Sequence, residues 1–111
     1  MMEKLLNWQV LWKRTIALWR GDSSLLAKVL FTLGNQNLMP SRILRESDGN
    51  GVSLYFFKPM EDAYALIVVF EEEEMVLVMK RESNDSLSTE VVDHQRLYNW
   101  VGEIVEWLKV S

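Results

Sequence analysis

Four consecutive glutamates, Glu71–Glu74, stand between two of the most apolar runs of the chain in the segment IVVFEEEEMVLVM, residues 67–79. Adjacent carboxylates suggest two chemistries, a cage for a hard cation or a proton held between crowded acids. A calcium loop spaces its carboxylates and places a glycine at the sharp turn. The glutamate run has no Gly, Asn or Asp within it, so its side chains diverge. It fits the tip of a β-hairpin better, where charge keeps the flanking apolar strands from pairing with other chains.

His94 is the one histidine and cysteine is absent, so neither a histidine-rich nor a thiolate metal site can be built within one chain. A general base needs a partner within hydrogen-bond reach. Glu90 and Tyr98 stand four residues to either side, but no serine or threonine nucleophile is marked by a surrounding motif. On a helix, His94 falls in the apolar arc with Leu97, Tyr98 and Val101, which reads as a core or boundary histidine. The glycine-containing stretch DGNG, residues 48–51, joins strand to strand, whereas phosphate cradles open a helix. No catalytic residue, metal ligand or cofactor-binding residue is therefore expected, and the chain does not read as an enzyme.

Tryptophan is the unusual count, five in 111 residues. Trp8, Trp12 and Trp19 share one side of a first amphipathic helix, and Trp100 and Trp107, seven apart, share a border of the last. Such residues either fill a core or anchor a protein interface. With Lys13, Arg14 and Arg20, the first helix could also lie on a membrane surface. A second apolar stripe, Leu6, Val10 and Ala17, implies contact from two directions and favours a protein partner. Tyr55, Phe57 and Tyr64, with Lys58 and Arg42 nearby, sketch a stacking platform for nucleic acid.

Charge weighs against that platform. Residues 1–45 carry seven basic and two acidic side chains, and residues 46–111 carry five basic and fourteen acidic ones. An acidic second half repels a phosphate backbone, so nucleic acid is an unlikely partner. The basic first part leaves an anionic surface as the alternative.

These residues need elements to position them. Apolar spacing indicates a helix over residues 3–20, then a second from an Asp22 cap through Leu33, with Gly34 as its stop. Pro40 closes the turn-rich connection 35–41. From Arg42 the period becomes that of strands: RILRES, then VSLYFFK after the DGNG turn, then 64–70 and 75–81 around the glutamates. Residues 83–88 read as a loop, and a last helix runs from about Glu90 to Lys109, with Glu90–Val92 equally open to a short strand. Gly102 inside it costs about 1 kcal/mol relative to alanine, which a close backbone approach or tolerated sequence drift would equally explain.

The expected fold is thus α+β: two N-terminal helices, a four-stranded antiparallel meander sheet and a C-terminal helix, in one domain over residues 1–111. The central strands are apolar on both faces, so both faces need cover, from this chain, a second copy in a homodimer or a partner. No apolar run is long enough for a signal peptide or a transmembrane helix, and a cytoplasmic protein is expected. The functional expectation is a non-enzymatic protein-binding module of adaptor, chaperone or inhibitor type. Its partner-binding residues would be Trp8, Trp12, Trp19, Trp100 and Trp107, with Glu71, Glu72, Glu73 and Glu74 as an acidic rim. The alternative is an accessory protein at an anionic membrane surface or nucleic acid, held through the basic N-terminal region.

Overall fold

The computed structural model describes residues 24–45 and 51–109. They form α1 (Leu25–Asn35), β1 (Arg42–Arg45), β2 (Gly51–Phe57), β3 (Tyr64–Phe70), β4 (Met75–Arg81), β5 (Leu87–Val92) and α2 (His94–Lys109). The strands make one antiparallel meander in the order β1-β2-β3-β4-β5. The α+β class holds, while the expected arrangement of a four-stranded sheet behind two leading helices is corrected. The sheet has five strands, and the described residues hold one helix ahead of it. The helix expected over residues 3–20 lies outside the described residues, with Trp8, Trp12, Trp19, Lys13, Arg14 and Arg20.

The fifth strand takes residues the helical period had partly claimed. Leu87, Thr89 and Val91 alternate with Ser88, Glu90 and Val92 along β4, from Arg81↔Leu87 to Val76↔Val92. Val91 and Val92 are buried, and β-branched side chains suit that position. Asp93 then ends the strand and caps α2: its Oδ1 accepts from the Arg96 amide at 2.8 Å and its carbonyl from the Leu97 amide at 2.9 Å. Helix α2 therefore starts at His94, which is exposed rather than part of the apolar arc. Asp93→Ala is expected to cost about 1 kcal/mol of stability, as a lost N-cap does, measurable as a lower urea midpoint.

Helix α1 also ends differently from the local glycine signal. It runs through Gly34 to Asn35, and Asn37 takes the left-handed conformation at φ 55°. The Leu38 amide reaches the Leu33 carbonyl at 3.0 Å and the Asn37 amide reaches Gly34 at 3.1 Å. This is a Schellman closure, with Leu38 packing back on the core beside buried Leu33. Asparagine tolerates the left-handed region, so Gly34 is not needed as the stop.

One face of the sheet carries the main core. Val52, Leu54, Phe56, Ala65, Ile67, Val69, Val76, Val78 and Val92 share it with Leu25, Val29 and Leu33 of α1 and Leu97, Trp100, Val101 and Ile104 of α2. Gly102 answers its question here. A Cβ there would stand 3.3 Å from Gln36 Oε1, and the Gln36 amide nitrogen donates to the Tyr98 carbonyl at 2.8 Å. The neighbour is the end of the Gln36 side chain, just past α1, and not the backbone of another helix. On the second face Leu66, Val68, Met75 and Val91 are buried as well, in keeping with strands apolar on both sides. Among the described residues no helix is long and apolar enough to cross a membrane.

Candidate protein-contact surface

The glutamate run is the β3–β4 loop, since Phe70 pairs with Met75 and residues 71–74 turn between them. Glu74 completes the turn at φ 52°. Glu71 is not merely solvated. Its Oε2 accepts from the Leu25 amide at 3.1 Å and its Oε1 from the Leu26 amide at 2.7 Å. Ser24 Oγ takes the Ala27 amide at 3.2 Å and the Ser24 carbonyl takes Lys28 at 3.2 Å. All four amides that open α1 are thereby satisfied, two of them by a carboxylate from across the fold. With both oxygens so used, Glu71 is a poor cation ligand. Among the described residues no three acidic or histidine side chains group to hold a metal.

The two tryptophans of α2 part company. Trp100 is a core residue at 5% exposure. Trp107 is half-buried at the margin of the core, with Lys58 Nζ 4.8 Å and Lys80 Nζ 5.5 Å from its ring centroid. Ammonium groups over an indole are held by the ring quadrupole. Lys58 is itself buried and pairs with Glu61 at 3.4 Å. Trp107 is the described tryptophan that a partner could touch, amid acidic and basic side chains on a small domain. The glutamate loop lies away from Trp107, since Lys80 and Met75 are five residues apart on β4, about 16 Å at strand rise.

Register assembles a different apolar surface on the second face of the sheet. Phe57 pairs with Tyr64, Tyr64 with Arg81 and Arg81 with Leu87, which places these four side chains in one row across β2–β5. The adjoining row brings Tyr55, paired with Arg42 and Leu66. Tyr55 stacks on Phe57 with centroids 5.9 Å apart and meets Tyr64 at 6.1 Å. Phe57 and Leu87 remain 49% and 60% exposed, and Met60, in the β2–β3 turn at φ 66°, is fully exposed. Left-handed methionine is strained, and the turn presents its side chain to solvent.

Charge at this aromatic band is largely settled within the chain. The Arg81 guanidinium lies 5.9 Å from the Tyr64 ring, bonds Asp85 at 2.7 Å and approaches Asp62 at 3.7 Å. Asp85 first, then Asp62, raise its pKa above the ordinary guanidinium value. Lys58 turns to Trp107 on the other face, so the structure separates it from the tyrosines with which it was grouped as a nucleic-acid platform. Elsewhere Arg96 bridges Glu90 at 2.7 Å and Glu103 at 2.6 Å, which hold its pKa up in that order.

His94 lines a cleft of about 370 Å³ with Ala27, Lys28, Phe31 and Thr32 among the described residues. The buried Thr32 hydroxyl donates to the Lys28 carbonyl at 3.0 Å, a bond within α1. The band itself was within reach of sequence reasoning only through strand register, since Leu87 and Arg81 lie far from Phe57 along the chain. No protein-family model, curated protein or solved structure matches this chain.

Proposed function

We propose that this chain is a non-enzymatic protein-binding module that engages a partner polypeptide through the aromatic band of its sheet. The observation that carries the reading is the row Phe57–Tyr64–Arg81–Leu87, with Tyr55 stacked behind it and Phe57 and Leu87 half or more exposed. Interface centres are rich in aromatic and arginine anchors ringed by polar groups. Here Asp85, and at longer range Asp62, pair with Arg81 beside Tyr64, which supports an arginine already placed for a partner. The acidic second half of the chain disfavours nucleic acid, because it repels a phosphate backbone. Trp107 and its two lysines belong to the opposite face and would border a large partner at most.

The test compares capture by the wild-type chain and by a Phe57→Asp, Leu87→Asp variant from lysate of the native cell, read by mass spectrometry. A defined partner set should fall by roughly 30-fold or more with the variant, as loss of a hot spot worth about 2 kcal/mol implies. Both positions are exposed, so far-ultraviolet circular dichroism should be unchanged. Equal capture by a folded variant would end the proposal.

A further inference from the structure

The first strand of the sheet is an edge with unusual features. All four residues of β1 are exposed, and among the described residues it pairs only with β2. Ile43, beside Leu54 on the core face, is 57% exposed, and Leu44, beside Ser53 on the second face, is 39% exposed. Natural edge strands are guarded by charge, brevity or cover; β1 is short and has an arginine at each end, yet its two central side chains are exposed aliphatics, one on each face. Lys58, Arg81, Arg96 and Lys109 each pair with a carboxylate, and Lys80 lies on Trp107. Arg42 and Arg45 make no ion pair among the described residues, in a chain with sixteen acidic side chains.

We infer that β1 accepts an extended segment of the partner protein as a sixth strand, and that this segment carries two acids flanking two apolar residues. The inference rests on the protein-binding reading above and names the chemistry of the partner. Residues three apart on a strand point to opposite faces, so Arg42 faces the aromatic band and Arg45 the core side. Acids three apart on a helix lie on one side and could not meet both arginines. An extended segment reading acid–apolar–apolar–acid sets one acid against each arginine and its apolar pair against Ile43 and Leu44. The pattern is symmetric, so it fits parallel or antiparallel to β1. Main-chain bonds supply affinity and the side chains supply selection, as in strand-addition complexes generally. Arg42 stands beside Tyr55, so the added strand continues the aromatic band.

A second copy of this chain is the poorer occupant. Both of its own matching runs are committed: Glu90-Val91-Val92-Asp93 has Glu90 held by Arg96, Asp93 capping α2 and both valines buried, and Glu103-Ile104-Val105-Glu106 is helical, with Ile104 buried and Glu103 bonded to Arg96.

The probe is an acetylated peptide, Gly-Thr-Glu-Val-Ile-Glu-Thr-Gly, titrated into ¹⁵N-labelled full-length protein, with a version carrying lysine for both glutamates as its control. The acidic peptide should shift the Ile43 and Leu44 amides and bind about tenfold more tightly than the lysine peptide, from two partly exposed ion pairs. An Arg42→Glu, Arg45→Glu variant with a dispersed spectrum should reverse that order. Equal binding by the two peptides, shifts confined to other regions, or no binding would overturn the inference. So would self-association that itself occupies β1. If native capture is lost with Phe57→Asp, Leu87→Asp yet survives Arg42→Glu, Arg45→Glu, the band stands and strand addition falls. If neither variant alters capture, both readings fall together.

Discussion

Replacing Trp100 with alanine is expected to destabilise the protein by about 3–5 kcal/mol, the range for truncating a large aromatic in a packed core. The residue is 5% exposed and shares its cluster with Val101 and Ile104 of α2 and with the strands beneath. A domain of this size is stable by about 5–15 kcal/mol, so the loss consumes much of the total. In urea the midpoint should fall by roughly 2 M, taking a slope near 2 kcal/mol per molar. If the alanine variant fails to fold, Trp100→Phe, which keeps an aromatic ring, should retain a cooperative transition at a reduced midpoint. Trp107→Ala should cost distinctly less, because its ring is half-buried and faces lysine stems. Equal costs at the two positions would show that Trp100 is not a core residue.

The second large effect is expected at Glu71. Glu71→Ala removes both acceptors from the Leu25 and Leu26 amides, and a hydrogen bond to a charged group contributes a net of about 1.5–3 kcal/mol. A net loss of about 2–3 kcal/mol follows, because the site is only partly buried. Glutamine should recover less than half, since it offers one acceptor and turns a donor toward a second donor. Glu72→Ala, at an exposed site of the same loop, should stay within about 0.5 kcal/mol. Amide hydrogen exchange should localise the effect, with Leu25 and Leu26 losing protection before the strands do. A Glu71 variant no less stable than the Glu72 variant would refute this role.

These two residues also show how far the sequence could be read. Strands 64–70 and 75–81 are legible to the residue, because apolar runs and turn residues are local signals. The partnership of Glu71 with α1 spans 45 residues, and no periodicity carries a contact of that separation. Helical angle places Trp100 and Trp107 on one side of α2, yet angle says nothing of position along the axis. Seven residues are about 10 Å of helix, enough to carry Trp107 from the centre of the sheet to its lysine-lined margin. Residues 90–92 were open to either element because their valines suit both a helical arc and a strand; the Asp93 cap decides it. The aromatic band depends on register across four strands, which the spacing of any one strand does not contain.

The clasp between Glu71 and α1 bears on the order of events during synthesis. Helix α1 has eleven residues, too few to be stable alone in water. It leaves the ribosome well before its carboxylate, which follows Leu26 by 45 residues. At about 5–20 residues per second, the first turn of α1 waits roughly 2–9 s for its cap. The meander can zip hairpin by hairpin as it emerges, each strand beside the last. The first of the described helices is thus completed late, when the third and fourth strands bring their loop to it.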